Sequence, residues 1–197
     1  MALEYIEPER VLQMNQSYVL EAAEVLGLDL TGVRFDNATD TCFEKAELLG
    51  WDPERVVRAV FVHQDGDLYG FISPELGQDR KPQYVNLKTI LPELLGISKS
   101  QSRKFRNQYC PDGMEYGTCT PFVLDGSFEE GRLHDDQTLR KLFVHDILSL
   151  DEQIVDISSG GHGEMAHRNS LHLPYKGIHD ILAYKFRDKV QKVDLFP

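Results

Sequence analysis

Apolar residues recur at helical spacing through Val11, Tyr18, Ala22, Val25 and Leu26, after Pro8 and before Gly27, which predicts an amphipathic helix opening the chain. Over residues 32–41 the pattern breaks into short polar and turn-forming residues. It resumes at Phe43, Ala46, Leu48 and Leu49 as a second, short helix ended by Gly50. Val56 to Val62 is rich in β-branched residues, Gln64-Asp65-Gly66-Asp67 is turn-like, and Leu68 to Ile72 is apolar again, so a hairpin is predicted. Two short helical stretches follow, Asn86 to Leu91 and Pro92 to Leu95, and Ser98 is placed to cap a further helix. Residues 109–120 read as loop. Leu142 to Val144 and Ile154 to Ile157 read as strands with a tight connection, Ser158 to Gly163 as a glycine-rich loop, and Ile178 to Val190 as a closing helix.

Composition narrows the class without naming a function. At 197 residues the chain buries about two-thirds of its unfolded surface, so it needs neither a metal nor a disulfide to fold. No run approaches the roughly 18 apolar residues that span a bilayer. Met1-Ala2-Leu3-Glu4-Tyr5 has no basic leader before an apolar core, so no membrane and a cytoplasmic location are expected. Cys42, Cys110 and Cys119 are odd in number and lack CxxC spacing, which fits free thiols. The net charge of -11 would repel a polyanion on average, yet Arg80 to Arg106 carries seven basic residues and one acid. A local +6 is a docking face for an anion or, equally, a solvated helix surface.

Three ordered segments resemble the YbaK-like aminoacyl-tRNA editing domains, the group that includes the insertion domain of bacterial prolyl-tRNA synthetases. The first runs from Thr41-Cys42-Phe43 through Glu47-Leu48-Leu49-Gly50 to Asp52-Pro53-Glu54-Arg55-Val56-Val57-Arg58-Ala59-Val60. The second is Gly117-Thr118-Cys119-Thr120-Pro121-Phe122. The third extends from Leu142-Phe143-Val144 through Asp146 to Ile157-Ser158-Ser159-Gly160-Gly161. Together they cover about 37–163. The resemblance implies an α+β fold, a mixed, strongly curved β-sheet flanked by helices, with an N-terminal helical extension over 1–34 and an editing domain over 35–197. It also implies deacylation in trans, hydrolysis of the ester of a mischarged aminoacyl-tRNA, with no cofactor and no metal.

By the same resemblance, Arg58 stands where the family places a functional lysine. Arginine keeps the charge and adds a planar fork, but it does not release a proton near neutral pH, so Arg58 is expected to position the tRNA 3′ end or to polarise the ester. Ester hydrolysis develops an oxyanion, and glycine-rich turns let backbone N–H groups approach it; Gly117, Gly160 and Gly161 are the candidates. Thr118, Thr120 and Pro121 belong with them to the substrate-binding loops. Asp146 matches a recurrent family aspartate that could hold water or the substrate amino group, although a turn cap explains it as well. His162 follows the double glycine and is either a contact to the terminal nucleotide or an exposed loop histidine. Lys99, Arg103, Lys104 and Arg106 are the candidate tRNA-binding residues.

Other chemistries fit less well. His162, His167 and His172 step by five rather than by the three or four of metal-binding helices, and Arg168 beside them opposes a cation. Cys119 has no histidine paired with it in the sequence. The serious rival is a non-catalytic binding or regulatory module of the same fold, for which Arg58 and the acidic charge speak. An unrelated α+β interaction domain would show its glycine loops far apart. The first and last helices lie outside the resemblance and are free either to cover the sheet or to form a homodimer.

Overall fold

The structure is a computed structural model. It describes residues 3–13, 16–39, 41–109, 114, 119–122, 132–133, 137–161 and 163–197, with the backbone alone over 106–109, 132–133 and 137. In chain order the elements are β1 (Leu3–Ile6), α1 (Ser17–Leu26), β2 (Thr31–Phe35), α2 (Cys42–Leu49), β3 (Val56–Gln64), β4 (Asp67–Pro74), α3 (Leu87–Leu95) and α4 (Lys99–Ser102). They continue as β5 (Arg106–Tyr109), β6 (Arg132–Leu133), β7 (Gln137–His145), β8 (Ile154–Ser158), β9 (Asn169–Pro174), α5 (Tyr175–Phe186) and β10 (Val190–Val193). One mixed sheet runs β1-β2-β9-β8-β3-β4-β7-β10, with β5 added to β3 and β6 to β7. The β3/β8, β4/β7 and β7/β10 pairs are parallel and the others antiparallel. The expected α+β class with a mixed, helix-flanked sheet is what the chain forms.

Side chains alternate across a strand, so the registers divide the sheet into two faces. Val57, Ala59 and Phe61 of β3, Ile72 of β4, Leu142 and Val144 of β7, Val155 and Ile157 of β8, and Leu171 and Leu173 of β9 share one face. Helices α1 and α5 cover it through Val19, Ala22, Ile178, Ile181 and Leu182, which completes the larger core. The opposite face carries a smaller apolar cluster at one end, where Ile90 and Leu91 of α3 pack on Val62, Phe71 and Phe143. Helix α2 lies toward the other end. Between them the face is polar.

The helix caps follow the sequence closely. Thr41 and Glu44 form a reciprocal capping box on α2, Ser98 and Gln101 do so on α4, and Gly27, Gly50 and Gly96 supply left-handed stops. Other boundaries moved. The first helix begins at Ser17, because Pro8–Arg10 forms only a single 3-10 turn and Leu3–Ile6 is an edge strand on β2. The two predicted helical stretches before Ser98 are one helix with Pro92 inside it. That proline removes the i→i−4 hydrogen bond its own N–H would make, shortly before the helix ends at Gly96. The last helix stops at Phe186, where Arg187 turns to φ 52, and residues 190–193 pair with β7 instead.

Candidate functional site

Across the polar face the registers set His172 beside Asp156, and Ser170 beside Ser158, on β9 and β8. On the neighbouring strands Val56 stands beside Asp156, and Arg58 beside Ser73. Strand β8 pairs with β3 only at Val56 and Val57, and β5 only at Phe61 and His63. Among the described residues the edge of β3 therefore has no strand partner over 58–60. A pocket of about 400 Å³ opens there, lined by Cys42 and Lys45 of α2, Arg58 of β3, Glu75 and Tyr84 of the β4–α3 connection, and Cys119.

Arg58 is held on two sides. Its Nη1 donates to Oε2 of Glu75 at 3.0 Å, and its guanidinium lies 4.7 Å from the centre of the Tyr84 ring. Glu75 is only 1% exposed, and its second oxygen accepts the backbone N–H groups of Gly77 at 2.8 Å and Gln83 at 2.9 Å. Only glycine fits at 77, because a Cβ there would stand 2.0 Å from the Lys81 carbonyl oxygen and 2.8 Å from Glu75 Oε1. The carboxylate thus fastens the connection and aims the arginine together. Nη2 of Arg58 is buried and has no hydrogen-bond partner among the described residues.

On the α2 side, Nζ of Lys45 donates to Asp156 Oδ2 at 3.3 Å and to Ser170 Oγ at 2.8 Å. Asp156 is fully buried and is also bonded to Ser170 at 3.2 Å and to Nε2 of His172 at 3.2 Å. Burial opposes its ionisation, but the Lys45 ammonium and the His172 and Ser170 hydrogen bonds outweigh burial and hold its carboxyl below the ordinary range. The Cys42 thiol is pushed the other way, up to about 11, chiefly by burial, so it is neutral near pH 7 and is no nucleophile. Arg80 pairs with Glu47 of α2 across the pocket mouth.

Of the two loops, the described parts around Thr120 and Gly160 are in contact. Thr120, Pro121 and Phe122 are buried, and Gly160, at φ 82, lies against Thr120: a Cβ on Gly160 would stand 2.7 Å from Thr120 Cγ2. Gln16 donates to the Phe122 carbonyl and joins both loops to the N-terminal segment. Gly161, at φ 109, faces Gln13. Gly117, Thr118 and His162 lie outside the described residues. Asp146 is exposed beside β10, its N–H donating to the Val193 carbonyl at 2.9 Å, and it does not line the pocket. Lys99, Arg103 and Lys104 are exposed on and after α4, and Arg106 follows in β5, where the backbone alone is described. Helix α3, against which α4 packs, covers the same sheet face as Arg58. Among the described residues no group of three His, Cys, Asp or Glu side chains could hold a metal, and no helix is long and apolar enough to cross a membrane.

Lys45, Glu75, Tyr84 and Asp156 are parts of the pocket and its support that no motif marks. The available signal was weak: polar residues at period two inside strands, Asp156 and Ser158, then Ser170 and His172, among buried apolar neighbours.

No protein-family model matches the chain, and no curated protein matches it significantly in sequence. Solved structures do match in fold. A candidate trans-editing enzyme for prolyl tRNA synthetase is 17% identical, with 93% of this chain and 97% of that chain covered at a TM-score of 0.57. The hypothetical protein APE2540 is 21% identical, with 90% and 97% covered at 0.55. A computationally designed epitope-presenting scaffold is 16% identical, with 93% and 97% covered at 0.53. The chain shares their fold, in agreement with the YbaK-like architecture expected. These likenesses establish the fold alone.

Proposed function

We propose that the pocket takes the aminoacyl ester of a mischarged tRNA and hydrolyses it in trans. The observation that carries this is Arg58, fixed by Glu75 in the lining of a pocket large enough for an amino acid and part of a ribose, with its buried Nη2 unbonded among the described residues. A buried donor without an acceptor costs about 1 to 3 kcal/mol, and the cost is recovered when a ligand oxygen fills the position. The Glu75 carboxylate fixes the guanidinium before the ligand arrives, so little reorganisation accompanies charge development on an ester carbonyl.

Charge balance supports the same class of ligand. Each pocket cation faces a carboxylate: Lys45 faces Asp156, Arg58 faces Glu75, and Arg80 faces Glu47. A phosphate inside would meet no uncompensated cation, whereas an uncharged ester carbonyl needs only a hydrogen-bond donor. The phosphates of the tRNA belong outside, on Lys99, Arg103, Lys104 and Arg106. The fold shared with a candidate trans-editing enzyme supports an editing role. In this reading Gly160 and Gly117 are the proposed sources of backbone N–H donors to the oxyanion. Asp146 lies outside the pocket and acts in this reading only on the bound tRNA, and Thr118, Thr120, Pro121, Gly161 and His162 are the proposed substrate-binding loop residues.

One observation favours binding without turnover: neither Arg58 nor the neutral thiol of Cys42 accepts a proton near pH 7. A deacylation screen separates the two. The protein is incubated at low salt with a panel of mischarged and correctly charged tRNAs, with Arg58→Ala as the control. Loss of ester from a few mischarged species, abolished in the variant, supports editing. Hydrolysis of none of them, with tRNA still bound, leaves the binding module.

A further inference from the structure

The geometry points to Lys45 as a second ligand-binding residue of the pocket, an ammonium fixed by Asp156 and Ser170 whose remaining N–H donates to an oxygen of the aminoacyl ester, opposite Arg58. This rests on the ester-binding function proposed above and adds a grip from helix α2 to the one from the sheet.

Lys45 has three donors and uses two, on Asp156 Oδ2 and Ser170 Oγ. No protein acceptor among the described residues takes the third, although the Phe35 ring lies 5.7 Å from Nζ. The side chain is 12% exposed, and the space it borders is the pocket. Lysine side chains are rotamer-rich, and free ones lose conformational entropy on binding. Here that cost is met in folding, because the capping box of Thr41 and Glu44 sets α2 and the Asp156 network sets the amine.

Stability alone does not explain such a network. A buried ion pair commonly contributes no more than apolar residues of similar volume, since desolvation offsets the attraction. In the strands carrying them, Asp156, Ser170 and His172 alternate with the buried apolar residues Val155, Ile157, Leu171 and Leu173, and so lie on the face opposite the larger core. An arrangement that consumes three buried polar residues to orient one amine at a pocket wall is explained by what that amine binds. Arg58 and Lys45 both line the one pocket, so an aminoacyl ester that fills it meets both groups.

The test separates a neutraliser of Asp156 from a binding residue. Probes are 3′-aminoacylamino-3′-deoxyadenosines carrying alanine, serine, cysteine or proline, the hydrolysis-resistant amide counterparts of aminoacyl esters. Affinity and thermal stability are measured for the wild type, Lys45→Met, Asp156→Asn and the double variant. Lys45→Met alone strands a buried carboxylate, so its melting temperature falls. In the double variant the melting temperature recovers, while affinity remains about ten-fold to a hundred-fold weak, the loss of one charge-assisted hydrogen bond. Recovery of affinity along with stability overturns the assignment, as does failure of the wild type to bind any of the four probes. A protein that binds the probes through Lys45 yet deacylates no tRNA leaves this inference standing and sinks the hydrolytic function. Deacylation that the double variant retains at wild-type KM does the reverse.

Discussion

Glu75 holds Arg58 by one carboxylate oxygen and its own loop by the other: Nη1 of Arg58 at 3.0 Å on Oε2, the N–H groups of Gly77 and Gln83 on Oε1. The buried carboxylate therefore couples the orientation of the pocket arginine to the path of the chain from β4 to α3. Because both partners are largely buried, each depends on the other.

Arg58→Ala leaves Glu75 charged and desolvated with only backbone donors, and the expected loss is about 3 kcal/mol in urea unfolding. Glu75→Gln keeps the shape but removes the charge, and costs about 1 to 3 kcal/mol. Since the two act through one contact, the double variant is expected to fall well short of the sum, with a coupling energy above roughly 0.5 kcal/mol. Strict additivity would show that the pair does not form in solution. Ligand affinity separates the roles: Arg58→Ala abolishes it, whereas Glu75→Gln weakens it by misplacing a guanidinium that is still present.

A second contact joins the loops. Gly160 sits at φ 82, with Thr120 Cγ2 only 2.7 Å from where its Cβ would be. Gly160→Ala meets both backbone strain and a clash, and a loss of about 1 to 3 kcal/mol is expected. Thr120→Ser removes the obstructing methyl, so Gly160→Ala/Thr120→Ser regains the steric part and leaves the backbone part. Equal stability of Gly160→Ala in the two backgrounds would mean the loops are not in contact.

How legible this was from sequence depends on the range of the signal. Caps, turns and the β3–β4 hairpin are local, and Ser98, Gly27 and Gly50 announced them. Arg58 and the glycine loops were singled out through the resemblance of three ordered segments to the YbaK-like family. Strands β1, β2, β9 and β10 were not, because each is held by pairing with a strand remote in sequence: Leu3 with Phe35, Thr31 with His172, and Val190 with Leu142. Short strands carrying polar residues at alternate positions read as loop until the partner is known. The same distance hid the pocket support. Lys45 and Asp156 stand 111 positions apart, and nothing near either residue indicates the other.

The basic residues beyond α3 bear on affinity and not on stability. Lys99, Arg103 and Lys104 are exposed, with no ion pair among the described residues. Replacing all three with glutamine is expected to change unfolding free energy by less than about 0.5 kcal/mol. If they contact tRNA phosphates, the slope of log K against log salt becomes shallower by up to about 2 to 3, at roughly 0.7 to 0.9 per lost contact. An unchanged slope would place the tRNA on another face and return this helix to the status of a solvated surface.

Asp156 supplies a pH signature of the Lys45 network. Its folded-state carboxyl is held below the ordinary range, so the unfolded chain binds the proton more readily. The stability it contributes is complete above the unfolded value, near pH 4, and is lost as pH falls toward and through the lower folded value. Asp156→Asn removes that contribution and strands the Lys45 ammonium, costing about 3 kcal/mol near pH 7. Unfolding curves from pH 7 to 2 are therefore expected to start well apart and to converge in acid, because protonation does to the wild type what the substitution has already done. Curves that stay parallel to pH 2 would mean Asp156 does not carry its charge in the fold, and the amine at the pocket wall would lose its anchor.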